Sequence, residues 1–431
     1  QNGNSTSSTD PSGGIIIGVS NSVIKNCIIR NNTSNDGGGA FAEGGTFYNC
    51  EVYDNTSNFE GGGIKMLSRG FDDFSSVSIQ YSIIRNNSCG SGSGLFGQFD
   101  IFQSNIIYNS GSAGLLASGA DAGPSQFVNS IMWGNEVIGY GNQELINSYS
   151  LIEGGANGYG NPYSDAYEIE PEFMDVSSNN YQLSPFSMLV NAGNPEYQDS
   201  DGTRSDIGAR PYLNTYSGPI WYVASDGDNA HGTGSINSKF KSIQAAINFA
   251  QSGDSVVVAE GTYIENIDFR DVPISVTGEN METTIIDGNQ FTTCVLFSHT
   301  RSYLLSDFTI TNGSGYWAGG LANGNISNPT VILRNLIVSG NNSSGNAGGI
   351  EFKNGTITID NLIVENNSGQ EIGGISLQTD GSIKNTIVRN NSAHATQAGG
   401  ISLAFGTADL INVLVAENDL ENNTGLFSTG G

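Results

Sequence analysis

The stretch Asn361-Leu362-Ile363-Val364-Glu365-Asn366-Asn367 decides the fold, because its pattern keeps returning along the chain. An Asn opens it, a short apolar run follows, and a second Asn closes it six residues on. Further copies open at Asn335, Asn385 and Asn412, and in the first half at Asn26 and Asn49. Weaker copies open at Tyr81, Ser104, Asn129, Tyr149 and Ser306. Neighbouring copies lie about 20 to 32 residues apart, the range in which repeats mean stacked coils. Six to eight residues after most closing Asn residues comes a glycine pair with an apolar residue, as in Gly348-Gly349-Ile350, Gly373-Gly374-Ile375, Gly399-Gly400-Ile401, Gly38-Gly39-Ala40 and Gly62-Gly63-Ile64. A large apolar side chain stands two residues before these openings: Ile24, Phe47, Ile79, Phe102, Phe127, Leu333, Ile359, Ile383 and Leu410. Three short strands per coil of roughly 25 residues, with no 3.6-residue period through the repeats, predict an all-β solenoid, a parallel β-helix.

The closing Asn has a mechanical reason. Asn tolerates left-handed backbone angles, and its amide can bond its own kind one rung above. At the strand spacing of about 4.8 Å, such residues form a ladder that replaces water for buried turn backbone. Asn32, Asn55, Asn87, Asn135, Asn341, Asn367, Asn391 and Asn418 are the expected ladder. Ile holds the second position after nearly every opening residue, but Glu51 stands there in one coil. Which of the two adjacent apolar positions faces inward is open at this stage.

Composition narrows the function classes. The 431 residues carry 59 Gly, 13% charged and 37% hydrophobic residues, a turn-dense, extracellular-looking balance. The net charge of −27 argues against nucleic acid, whose affinity rests on basic side chains at phosphates. It also disfavours anionic membranes and bare polyuronates, and makes bridging divalent cations more plausible. No apolar run approaches about 18 residues, so no membrane-spanning helix is expected. No signal peptide is visible, and Gln1 is consistent with processing. Cys27 and Cys50 share one register position in neighbouring coils, at a spacing compatible either with stacked thiols or with a disulfide, whereas Cys89 and Cys294 have no evident partner. Asn-x-Ser/Thr triplets abound, and Asn4, Asn55, Asn325 and Asn354 are candidate glycosylation sites. The ladder itself generates many such triplets by coincidence.

Taken in order, residues 1–162 read as the C-terminal part of one β-helix, starting inside a coil after a polar arm. From 163 to 217 the period is lost. This stretch contains Pro171-Glu172-Phe173, Tyr181-Gln182-Leu183 with Ser187, Asn191-Ala192-Gly193, Asp199-Ser200-Asp201-Gly202-Thr203-Arg204 and Asp206-Ile207-Gly208-Ala209. In that order these residues resemble the closing segment of secreted bacterial right-handed β-helix proteins of the pectate-lyase-like superfold. Arg210 departs from the pattern, which more commonly has an acidic or aromatic residue there. The resemblance implies a right-handed coil, and a segment that precedes a surface-anchoring or sorting signal. Residues 218–431 then read as a second β-helix. Phe240 to Gln251 has apolar residues at helical spacing and resembles the short α-helix that plugs such a coil at its N-terminal end; an interaction helix is the other reading.

Open coil ends expose parallel-strand edges that pair with whatever fits. The expected partner is therefore another copy, stacked head-to-tail in a filament, or further coils of a tandem surface fibre. An extracellular or cell-surface structural or adhesive role follows, with surface glycans as further partners. No catalytic residues are expected. Lys25, Arg30, Lys65, Arg69 and Arg85 gather loosely, which is also how solvated strand faces look, and Asp72-Asp73 lacks the companion motifs of polygalacturonase-like hydrolases. His231, His299 and His394 are scattered. The alternative function is a polysaccharide lyase or hydrolase, or a carbohydrate-binding β-helix using the sheet face as its groove. Asp199, Asp201 and Asp206 alternate around a Gly turn as calcium ligands do, and Asp226 with Asp228 is a second candidate. Carboxylates capping backbone amides would give the same spacing.

Overall fold

A computed structural model describes residues 13–18, 21–66, 77–111, 114–116, 125–135, 145–155, 158–162, 169–323, 328–395 and 397–420. Asn4, Arg69, Asp72, Asp73 and Asn325 lie outside the described residues. The chain divides into two compact units that meet in sequence at Leu213 and Asn214.

In the first unit three parallel stacks run along the coil. One contains Ile15–Ile17, Ala40–Ala42, Ile64–Met66, Leu95–Phe96 and Leu115–Leu116. The second runs from Val23–Lys25 to Leu145–Ser148, and the third from Ile28–Arg30 to Leu151–Ile152. Each strand pairs in parallel with its equivalent one coil later, so Ile29, Val52, Ile84, Ile106 and Met132 form one column. Register decides which side chains fill the core. Three residues after the opening position, Val52, Ile84, Ile106 and Met132 are fully buried; Phe47, Ile79, Ile101 and Phe127 stack opposite them. The inward-facing member of the apolar pair is thus the second one. Glu51 is tolerated because its own position, one before the inward-facing Val52, faces out.

The sequence register is off by one in two coils. The left-handed turn residue is Gln103 (φ 45°), not Ser104, and Asp307 (φ 66°), not Ser306. The inward side chain of that first coil is accordingly Ile101, not Phe102, which is only partly buried.

The second unit opens with Ile220–Val223 and a short helix, Ile243–Phe249, whose residues are all buried. It is shorter than the expected 240–251. Ser242 takes the N-cap, Ala250 returns to extended backbone, and Phe240 bridges to Val223 instead. The buried N-terminus is satisfied by Glu265, which accepts from Ile243 N (2.8 Å), Gln244 N (3.0 Å) and Ser242 Oγ (2.7 Å). That answers the demand of unpaired amides at a helix start. Trp221, Phe240 and Phe249 stack beside it, at centroid separations of 5.6 to 6.4 Å. Beyond the helix the coils resume. In three of these coils two strands join through the turn residue into ten-residue strands: Ser302–Thr311, Thr330–Ser339 and Thr356–Glu365. No described helix is long and apolar enough to cross a membrane.

Candidate functional site

Two ladders fasten the coils to one another. In the first unit Asn32 Nδ2 donates to Asn55 Oδ1, Asn55 to Asn87, Asn87 to Asn109 and Asn109 to Asn135, all at 3.0 to 3.1 Å. Each acceptor oxygen also takes the backbone N–H of the Asn before it. In the second unit Asn341, Asn367, Asn391 and Asn418 repeat the arrangement at 2.9 to 3.0 Å. Asn109 is a member the sequence reading missed, because opening that coil at Ser104 instead of Gln103 hid it. Asn55, expected both as a ladder residue and as a candidate glycosylation site, is wholly buried in the ladder, its amide donating to Asn87 Oδ1 and Ile29 O. Asn354 lies half-buried in the turn after Phe352.

A second ladder went unread although its residues were in view. Directly after the turn residue stand Ser82, Ser104, Ser130 and Ser150, each with a buried hydroxyl accepting the N–H of the residue one coil below, at 3.0 to 3.1 Å. Cys27 and Cys50 occupy the same column and carry free thiols. In the second unit Thr386 takes this position.

The aperiodic segment from 169 to 213 lies along the outside of the first unit and reads its turn column residue by residue. Asn194 N donates to Asn129 Oδ1 (2.7 Å), Asn129 Nδ2 to Ser205 Oγ (2.9 Å) and Ala209 N to Asn105 Oδ1 (2.9 Å). Gln103 Nε2 reaches Asp199 Oδ1 (3.0 Å). Arg210 donates to Asn49 Oδ1 and Tyr81 O and lies 3.6 Å from Glu51. Tyr48, Tyr81, Phe102 and Tyr197 pack ring to ring alongside.

The carboxylates singled out as calcium ligands are the knots of this segment. Asp206, fully buried, accepts from Asn191 N with one oxygen and Tyr212 N with the other, both at 2.7 Å. Asp199 accepts from Asp206 N (2.8 Å) as well as Gln103, and Asp201 caps Thr203 N and Oγ1. Burial, then the neighbouring Asp199 charge, push Asp206 well above the usual carboxylate range, and burial raises Asp199 too. Asp228 is exposed and caps Ala230 N and His231 N, while Asp226 shares a shallow open depression with Asp228 and Lys239. Among the described residues no group of three His, Cys, Asp or Glu side chains is arranged to hold a metal ion.

The described first-unit cations are engaged with neighbours. Lys25 lies over Tyr48 and Arg30 over Tyr53. Lys65 pairs with Asp36 and Glu60, and Arg85 packs 3.9 Å from the Tyr53 ring centre, 4.0 Å from Glu51. The second unit holds a cluster no motif announced. Glu351, 1% exposed, points outward from its strand between Ala322 of the coil below and Ser376 of the coil above. Its Oε2 accepts from Asn346 (3.2 Å), and its Oε1 faces Lys353 Nζ at 3.6 Å, too long for a hydrogen bond. Lys353 in turn sits 3.7 Å over Trp317, whose ring meets Tyr316 edge-on. Burial pushes the Glu351 carboxyl up to about 7 against the pull of Lys353.

Residues 2–132 match the family model described as "Right handed beta helix region". A search of curated proteins returns no match to the chain. Parallel stacks in register, coil upon coil, and that match define the fold as a right-handed parallel β-helix.

Proposed function

We propose that this chain is an extracellular structural or adhesive β-helix that assembles through its coil faces, head-to-tail with further copies or within a tandem surface fibre. The observation that carries this reading is the contrast between inner and outermost described coils. Ile16, Val23 and Ile28 in the first, and Leu410, Leu414 and Val415 in the last, are 37 to 65% exposed. Of these, Ile16, Leu410 and Val415 have register equivalents one coil further in, Phe41, Ile383 and Val388, that are buried. A further coil of the same pattern, from flanking chain or from another copy, would cover them and pair their strand edges. Sedimentation over a range of concentrations with electron microscopy tests the polymer form: end-to-end fibres growing with concentration support it, and monodisperse particles throughout sink it.

A second reading, a glycan-binding or glycan-cleaving β-helix, is favoured by one site. Glu351 combines a carboxyl poised near neutrality with Lys353, Asn346 and the Trp317–Tyr316 pair, the residue types that grip and protonate sugars. Incubation with plant and algal glycans, with and without calcium, tests it. Reducing or unsaturated products lost in Glu351→Gln would establish it, and neither binding nor products would dismiss it. Calcium at Asp199, Asp201 and Asp206 belongs to the same class of proposal; a thermal midpoint unmoved by calcium or by chelator would rule it out.

A further inference from the structure

Cys27 and Cys50 stand at equivalent positions of adjacent coils. The residues that follow them, Ile28 and Glu51, are register partners in parallel strands, and Glu51 N donates to Cys27 O at 2.9 Å. Neighbouring strands lie about 4.8 Å apart, so the two Cα atoms fall inside the span of about 4.4 to 6.8 Å that a disulfide bridges. The column also aims its side chains along the coil axis. Ser82, Ser104, Ser130 and Ser150 each turn their hydroxyl toward the coil below. Cys50 follows them: its thiol donates to Ile24 O at 3.4 Å, in the coil that holds Cys27. Cys27 is partly open to solvent, whereas Cys50 is buried.

We propose that Cys27 and Cys50 form a redox-closable pair, which a low-molecular-weight disulfide converts into a cystine fastening one coil to the next. The Cys27 thiolate attacks one sulfur of the reagent; its S–S bond breaks, and the departing thiolate takes up the proton that Cys27 lost. Cys50 then attacks the Cys27 sulfur of the mixed disulfide, and the second small thiol leaves carrying the Cys50 proton. Two protein thiols are oxidised to one disulfide, and one reagent disulfide is reduced to two thiols. Burial raises the Cys50 thiol above its ordinary value, so the second step is the slow one and speeds up with pH. Cys89 and Cys294 are internal controls. Both are buried in other columns, donating to Phe59 O and Thr311 O, and burial pushes Cys294 up to about 12.

The test treats the full chain with oxidised glutathione at about pH 7 and about pH 9. An acid quench, unfolding, alkylation with iodoacetamide and peptide mass mapping follow. The expected product is a linked Cys27–Cys50 peptide pair lighter by two hydrogen atoms, forming faster at the higher pH, with Cys89 and Cys294 alkylated. Cys50→Ser, a residue this column already holds in later coils, should stop at a glutathione adduct on Cys27. Wild-type protein that stops at that adduct, or keeps both thiols alkylatable at both pH values, overturns the proposal. So does a Cys50→Ser chain that takes no adduct on Cys27.

Discussion

The turn column of the first unit and that of the second are built on one plan and finished differently. In the second unit the column is nearly regular. Asn361 Nδ2 bonds Asn335 Oδ1 (2.9 Å), Asn335 bonds Asp307 (2.8 Å) and Asn412 bonds Asn385 (2.9 Å), while Asn385 reaches Asp360, the residue before Asn361, at 2.9 Å. In the first unit the same positions become Tyr81, Gln103, Asn129 and Tyr149, and Gln103 and Asn129 answer the 169–213 segment instead. The outward position two residues later follows suit. Ile83, Asn105, Ile131 and Leu151 are buried in the first unit, whereas Ile337, Ile363 and Ile387 are half-buried in the second. Imperfection in a solenoid repeat is thus informative: the consensus fails where another element packs on the coil.

That contrast can be broken at several points, beginning with the largest effect. Asp206→Ala strands two buried amides, those of Asn191 and Tyr212, and should cost about 2 to 6 kcal/mol at about 1 to 3 per orphaned donor. Hydrogen exchange should rise across 189–212 and leave the second unit untouched; equal rises in both would refute the assignment. Asn367→Ala opens the inner ladder instead. It removes the acceptor of Asn341 N and Nδ2 and the donor to Asn391, with an expected loss of about 2 to 4 kcal/mol confined to the second unit.

The next effect depends on pH. The Glu351 carboxyl is raised in the folded chain, so the folded state binds its proton more tightly than the unfolded state does. Stability from this group is fully present below about pH 4.5 and is lost as pH rises through about 7, by about 3 kcal/mol at about 1.4 per unit. Glu351→Gln, uncharged at every pH, should flatten that decline in the second unit's melting temperature. An unchanged pH profile would show that Lys353 fully offsets the burial. The smallest effect sharpens the comparison directly. Asn361→Gln breaks a regular turn pair and should cost about 1 kcal/mol, whereas Gln103→Asn shortens the reach to Asp199 and should cost a similar amount only while the 169–213 segment is in place. Combining Gln103→Asn with Asp206→Ala should therefore be less than additive, and full additivity in denaturant melts would separate the two sites.

The coil itself was legible because its determinants are local and repeated. Asn at a left-handed turn, Gly where the chain must pass close, and apolar residues at fixed offsets leave the same trace in every coil. Gly39 illustrates the close approach: a Cβ there would meet Gly63 O of the next coil at 2.5 Å. The capping helix was legible too, except for its ends, which Ser242 and Glu265 set through contacts 22 residues apart in sequence. Less was legible where one position has two uses. Gln103 and Asp307 do not look like the Asn they replace, so the frame slipped by one residue and Asn109 was lost with it. The acidic alternation of 199–206 was legible, but its partners were not: Asp199 accepts from Gln103 Nε2, 96 residues away in sequence, as well as from Asp206 N.

By itself, then, the sequence determined that this chain coils, because each coil needs only its own turn chemistry and a neighbour of the same kind. Tertiary structure alone decided which apolar face is the core, that the aperiodic segment lies along the first unit's turn column, and that Glu351 is buried against Lys353 and Trp317. Those outcomes rest on contacts between residues far apart in the chain, whose energy depends on burial and on the partner met there, and neither quantity is written in a local pattern.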